Sequence, residues 1–174
     1  HFWDDAKRIL GKDKNFNWFL VARFLSQFAT MGFSFYIIYA LRRFDMTPIV
    51  AGYLTATLTI SQTVANIGMG WIGDRVGHRA MLILGAFAAL LSSVLAWNAT
   101  SLAWFYPIFL LTGLANVSIW TIGMVMTVDF GTEVERPMYI GLSQTLPAPA
   151  TLLAPIIGGW IVDRIGTRRS FLLF

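Results

Sequence analysis

The apolar runs of this chain have the length of a bilayer crossing. About 20 predominantly apolar residues in a helix span a hydrocarbon core roughly 30 Å thick. Such runs lie at about 16–41, 48–72, 80–97, 103–128 and 138–162, with a further one beginning near Ser170 and cut off at Phe174. The expectation is an all-α membrane protein with five complete transmembrane helices and the start of a sixth. A transmembrane barrel is excluded, because barrel strands need only about 9–11 residues of alternating polarity and these runs are far longer and do not alternate. Charge agrees: 13% of the residues are charged, against roughly 25% in a soluble domain. The lipid bilayer is thus the first expected partner. The net charge of +4 fits basic residues that orient helix ends and meet anionic headgroups, and it gives no reason to expect nucleic acid.

Residues 1–15 read as a separate amphipathic or linker segment ahead of a bundle over 16–174. Asp4, Asp5, Lys7, Arg8, Lys12, Asp13 and Lys14 make it too polar for the core of a signal peptide. The chain opens at His1 and not at Met, so a processed chain or an internal fragment is expected. Phe2, Trp3, Ala6, Ile9 and Leu10 share one helical face while Asp4, Asp5, Lys7 and Arg8 fall elsewhere. That is the pattern of a short helix lying at a membrane surface; Gly11 and the KDKN run after it equally suit a solvated linker. With the N-terminus cytoplasmic, the inner segments hold Lys7, Arg8, Lys12, Lys14, Arg75, Arg79 and Arg136, against Arg42, Arg43, Arg164, Arg168 and Arg169 outside. The positive-inside bias is mild.

One polar stretch stands out between the runs. Gly70 to Arg79 reads GWIGDRVGHR and returns as GWIVDRIGTRR at Gly159 to Arg169, each copy at the exit of a long apolar segment. Gly70 and Gly73 allow helices to approach closely, Gly77 permits a turn with positive φ, and Asp74 is placed to be neutralised by Arg75 or Arg79 or to cap a facing helix. Three spans separate the copies, so they face opposite sides of the membrane, and the second reads as a loop with related turn chemistry.

Gly70-x-x-x-Asp74-Arg75-x-Gly77-x-Arg79 resembles the loop between the second and third helices of each half of major facilitator superfamily transporters, with Ala80 where a final basic residue is common. The span pattern and the fifth helix, with Pro155, Gly158 and Gly159, fall where a six-helix half of that fold has them. The charged lead-in, Arg23-Phe24-Leu25 to Phe35-Tyr36, and the run SQTLPAPATLLAPIIGGWIVDRIG look more like helices seven to twelve of bacterial members than like the N-terminal half. The resemblance implies a secondary active or facilitative transporter of a small solute working by alternating access, in the bacterial cytoplasmic (inner) membrane with the N-terminus inside. It further implies a second six-helix half, the N-terminal bundle, and a gating loop made of Gly70, Asp74, Arg75, Gly77 and Arg79. The competing reading is a non-transporting integral membrane subunit or assembly factor of the same fold, partnered by another membrane subunit.

Polar residues inside the spans are informative, because an unpaired polar group in hydrocarbon is costly and seeks a partner helix or a water-filled cavity. Arg23, Gln27, Thr30 and Ser34 form one stripe on the first span, and Thr112, Asn116 and Trp120, continued by Thr127, form another on the fourth. The resemblance makes these stripes substrate-cavity candidates, since the first and fourth helices of each half line the central cavity in that family. Helix-to-helix glue accounts for them equally. Thr55, Thr59 and Thr63 on the second span suit packing or bonds to their own backbone better than ligand binding. Pro147, Pro149 and Pro155 mark kinks in the fifth span, either bending points or static ones.

Enzyme chemistry lacks its parts. There is no cysteine, the two histidines His1 and His78 make no metal centre, and no phosphate-cradling or nucleophile motif is present. No cofactor or metal is expected. Every acidic residue lies in the lead-in or at a span end, so a mid-membrane proton relay within this stretch is not expected.

Overall fold

The computed structural model describes residues 2–44 and 46–170, and their side chains except at 2–4, 31, 32, 34, 35, 38, 39, 41–43 and 161–170. The side chain of Ser34, the second Asp-Arg stretch from residue 161 onward and the expected sixth-span start at 171–174 lie outside the described residues or side chains. Eight α-helices are described: α1 (Phe2–Lys12), α2 (Lys14–Phe44), α3 (Pro48–Val76), α4 (His78–Asn98), α5 (Phe105–Val117), α6 (Gly123–Thr127), α7 (Arg136–Thr145) and α8 (Ala148–Ser170). No strand occurs among the described residues. A 3-10 turn, Leu102–Trp104, leads into α5, and a π-helical turn, Ser118–Ile122, joins α5 to α6 in one continuous helical segment.

Three segments among the described residues, His78–Asn98, Leu102–Thr127 and Arg136–Trp160, are long and apolar enough to cross a membrane. Helices α2 and α3 are longer still, at 31 and 29 residues, which at about 1.5 Å per residue exceeds a hydrocarbon core. Threonines dilute the hydropathy of α3. Thr55, Thr57, Thr59 and Thr63 each donate a hydroxyl to the carbonyl four residues earlier, so the helix itself satisfies them.

The chain falls into two compact units, one of His1–Gly32 with Leu142–Phe174, the other of Phe33–Gly141. In the second unit α5 packs along both α3 and α4. The buried positions of α4 are Met81, Gly85, Ala88, Ser92 and Ala96, and those of α3 include Ser61, Ala65, Met69 and Gly73. Recurrence every three or four residues puts small side chains on one face, which is how helices approach where lipid removes the hydrophobic drive between them. Two contacts clip α5 and its π turn in place. Ser61 Oγ donates to the Leu110 carbonyl at 2.6 Å, and a Cβ on Gly113 would lie 2.6 Å from Ser61 Cβ. Ser118 Oγ donates to the Met81 carbonyl at 3.0 Å, and a Cβ on Gly85 would overlap the Ser118 side chain.

One end of this unit is apolar, with Ala40, Leu54, Phe105 and Ile108 fully buried and the Phe44 and Phe105 rings edge-to-face at 5.8 Å. Tyr36 Oη lies 3.0 Å from Ser93 Oγ and ties this part of α2 to α4. Large apolar side chains point outward instead, among them Ile60, Val64 and Ile67 on α3 and Phe87, Leu90 and Val94 on α4. A soluble protein does not present so much contiguous apolar surface; hydrocarbon accommodates it.

In the first unit Asp13 caps α2, its Oδ1 accepting the Phe16 amide at 3.0 Å, the bond of an N-cap to the third helical residue. Asn17 Nδ2 donates back to the Leu10 carbonyl at 2.6 Å, folding the end of α1 onto the start of α2. Protein therefore covers Ala6 and Ile9, whereas the sequence pattern alone suggests a helix resting its apolar face on lipid. The fifth span breaks at Leu146–Pro147, between α7 and α8, while Pro155 lies inside α8. Helix α8 also runs through Gly166 to Ser170, where the repeated letters suggest a turn. One interior glycine costs a helix only about 1 kcal/mol relative to alanine.

Candidate functional site

The turn between α3 and α4 is built around Gly77, whose φ of +102° is open to glycine and strained for side-chained residues. Its amide donates to the Gly73 carbonyl at 2.8 Å and closes α3. Gly73 is buried, and a Cβ there would press on His78 Cδ2 at 3.2 Å. Gly70 is different: a Cβ there would meet nothing within 4 Å, so its place in the motif has no packing explanation among the described residues.

Within α3 residues four apart share a face, and Arg75 turns to Trp71, its guanidinium carbon 3.9 Å from the ring centroid. Asp74 meets His78 across the Gly77 turn, with Oδ1 at 3.5 Å from Nε2. The sequence suggests Arg75, Arg79 or a capped facing helix as the partner of Asp74; among the described residues its close contact is the His78 imidazole. The other imidazole nitrogen, Nδ1, stands 3.3 Å from Asp129 Oδ2, just beyond α6. His78 therefore bridges two carboxylates on two helical segments. Sequence reading weighed it only as a metal ligand and missed it, although the i,i+4 spacing from Asp74 was visible.

The loop after Asp129 is held by its own contacts. Gly131, at φ +72°, has a Tyr139 ring where a Cβ would go, and the Phe130 and Tyr139 rings stack at 6.3 Å. Thr132 Oγ1 donates to Glu135 Oε2 at 3.0 Å. Arg136 Nη1 lies 3.8 Å from Glu133 Oε1, an exposed pair worth about 0–1 kcal/mol.

The polar stripe of α2 begins in the first unit as the continuation of an apolar one. Phe16, Phe19 and Leu20 are buried, and the same face continues with Arg23 and Gln27, 5% and 3% exposed. The Arg23 guanidinium lies 5.9 Å from the Phe19 centroid, at the outer limit of a cation–π contact. Its Nε and Nη1 are buried and meet no acceptor among the described residues. Each such donor costs about 1–3 kcal/mol, more when charged. Gln27 Oε1 accepts Thr151 Oγ1 of α8 at 3.3 Å, and Thr30 Oγ1 turns back to the Gln27 carbonyl at 2.8 Å.

The second stripe lies in the other unit. Thr112 is buried with its hydroxyl on the Ile108 carbonyl at 2.8 Å, Asn116 is half-buried, and Trp120 is exposed. Thr127 is buried and bonds the Gly123 carbonyl. The π turn at Ser118–Ile122 inserts extra backbone between Asn116 and Thr127, so a stripe counted at α-helical spacing turns away along it. Such turns are frequent at functional positions, and no sequence signal announced this one. Pro147 is buried, with its carbonyl accepting the Ala150 and Thr151 amides at 3.0 and 3.3 Å, while Pro149 and Pro155 are exposed. Among the described residues no group of His, Cys, Asp and Glu is placed to hold a metal ion.

Comparison with known proteins agrees with this architecture. The family profile described as Major Facilitator Superfamily matches residues 19–174. The chain is 29% identical over 123 residues to the probable vesicular acetylcholine transporter-B of Danio rerio, covering 70% of this chain and 25% of that protein. It is 29% identical over 120 residues to multidrug resistance protein 2 of Bacillus subtilis (strain 168), covering 69% and 30%. A further relative, the MFS-type transporter ppzB of Metarhizium majus (strain ARSEF 297), is 26% identical over 121 residues, covering 70% and 26%. The chain thus spans about a quarter to a third of the length of these curated relatives. No solved structure matches it. With the profile match running from the first span to the last residue, this integral membrane chain belongs to the Major Facilitator Superfamily.

Proposed function

We propose that the protein moves a small solute across a membrane by alternating access, secondary active or facilitative, and that this chain supplies one half-bundle, the C-terminal one. The observation that carries the reading is the family match over residues 19–174 on a chain whose α3–α4 turn keeps the Gly77 geometry and a His78 contact to Asp129, just after α6. Alternating access needs two bundles that rock about a site near the bilayer midplane. The two carboxylates that His78 meets are exposed, so these contacts are broken and remade at little cost. The transporter names of the relatives, acetylcholine and multidrug among them, support transport of organic solutes in general. The companion is a second six-helix bundle, and the expected setting is a bacterial cytoplasmic membrane with α1 on the inner side.

The test is uptake by proteoliposomes carrying the full-length protein that contains this chain, compared with Asp74→Asn and Gly77→Val variants. Both variants are expected to insert normally and to transport poorly. Uptake equal to protein-free vesicles would replace this reading by that of a non-transporting membrane subunit.

A further inference from the structure

We propose that His78 is a proton-binding site that works as a clasp: with the imidazole protonated the α3–α4 turn holds the chain just after α6, and with it neutral that hold is lost. Such a site goes beyond the transport reading and does not depend on it.

Position and donor count make the case together. The ring rests on Gly73, where a Cβ would lie 3.2 Å from His78 Cδ2, so the missing side chain at 73 lets the imidazole lie close to α3. Nδ1 then stands 3.3 Å from Asp129 Oδ2, and Nε2 3.5 Å from Asp74 Oδ1. An ionised carboxylate accepts hydrogen bonds and donates none, while a neutral imidazole carries one N–H and one lone pair. A neutral His78 therefore turns a lone pair toward one of the two aspartates, whichever tautomer it takes. The imidazolium presents an N–H and positive charge to both. Only the protonated ring makes both contacts attractive.

The surrounding charges leave this role to the imidazole. Arg75 on α3 is turned to Trp71, and Arg79, next to His78 on α4, is exposed. In the loop beyond Asp129, Glu133 pairs with Arg136 and Glu135 accepts the Thr132 hydroxyl. Both carboxylates that flank the ring are exposed, so water reaches the site and protons exchange with it. A lysine or arginine at this position would keep its charge throughout the physiological range, whereas histidine changes charge between about pH 5 and 8. The bridged conformation binds the proton more tightly than the open one, and protonation draws the population toward it by that difference in affinity. The clasp is thus closed at the acid end of the window and is lost as pH rises through it.

The test is amide hydrogen exchange of the full-length protein in lipid nanodiscs at about pH 5.5 and about pH 8, within and at the end of the histidine window. Exchange is read by mass spectrometry on peptides covering residues 70–80 and 126–131 and corrected for the intrinsic effect of pH. These peptides hold the amide of Gly77, bonded to the Gly73 carbonyl, and those of Asp129 and Phe130, bonded to the Met126 and Thr127 carbonyls. Wild type is compared with His78→Arg, His78→Gln and Asp129→Asn, each first shown by gel filtration to be monodisperse. Protection in wild type should be about two- to fivefold higher at the acid pH, the size of one or two exposed ion pairs. His78→Arg should keep the higher protection at both pH values, and His78→Gln should show the lower protection at both. Asp129→Asn should lose most of the response in 126–131. Equal protection of wild type at the two pH values overturns the proposal. A response undiminished in His78→Gln or His78→Arg overturns it too, since the proton then sits on another group. No solute enters the measurement, so either failure leaves the transport reading standing.

Discussion

His78 Nδ1 stands 3.3 Å from Asp129 Oδ2 while its Nε2 stands 3.5 Å from Asp74 Oδ1. One imidazole thus joins the end of α3 to the chain just after α6. Its own side chain is 16% exposed, but the two carboxylates are 77% and 60% exposed. Water screens such pairs, so the bridge is suited to setting which conformation is favoured and poorly suited to holding the bundle together.

A double-mutant cycle of His78→Ala and Asp129→Asn is expected to give a coupling energy in thermal or denaturant unfolding below about 1 kcal/mol. Turnover in proteoliposomes should nonetheless change by about twofold or more in each single variant, as for other positions that bias a two-state element. Full turnover in both variants would reduce the bridge to a surface contact.

Gly77 and Gly70 are expected to part company. Valine at position 77 must adopt a φ near +102° and should lose about 1–3 kcal/mol of stability together with transport. Alanine at position 70, inside α3 where a Cβ meets no atom within 4 Å, should leave transport unchanged and raise stability by up to about 1 kcal/mol. Equal damage from the two substitutions, read by melting temperature and uptake, would contradict this account of the turn.

Gly113→Ala should destabilise the second unit by about 1–3 kcal/mol, the range for overpacking, because the new Cβ falls 2.6 Å from Ser61 Cβ and 3.1 Å from the Leu58 carbonyl oxygen. Adding Ser61→Gly should restore part of that loss. A restored fraction near zero in unfolding measurements would mean that the Leu58 carbonyl, and not the serine, sets the clash.

Thr112 and Asn116 offer a contrast within one stripe. The Thr112 hydroxyl is satisfied by its own helix at 2.8 Å, so Thr112→Val should leave KM unchanged and cost less than about 1.5 kcal/mol of stability. Asn116→Ala should raise KM if the half-buried amide contacts solute. Unchanged KM with a lower melting temperature would assign Asn116 to helix packing.

The sequence by itself determined the class and the family of this chain. Apolar runs of bilayer length, low charge and the Gly70–Arg79 letters are local properties, and hydrocarbon leaves the backbone no satisfied structure for such runs except helix or closed barrel. The polar positions Arg23 and Gln27 were legible for the same reason, since a polar residue within an apolar run is conspicuous. Which partner each polar group takes was decided only by tertiary structure. His78 faces Asp74 and Asp129 because helix rotation and the crossing of α3, α4 and the α5–α6 segment set the distances, and no count of flanking arginines contains those angles. The Ser61–Gly113 and Ser118–Gly85 contacts likewise depend on the spacing between helices. The π turn at Ser118–Ile122 shifts the register by one residue within an apolar run whose letters suit an α-helix as well. The burial of Arg23 follows the same rule: the letters place a cation inside a span, and only packing around it decides whether it reaches water.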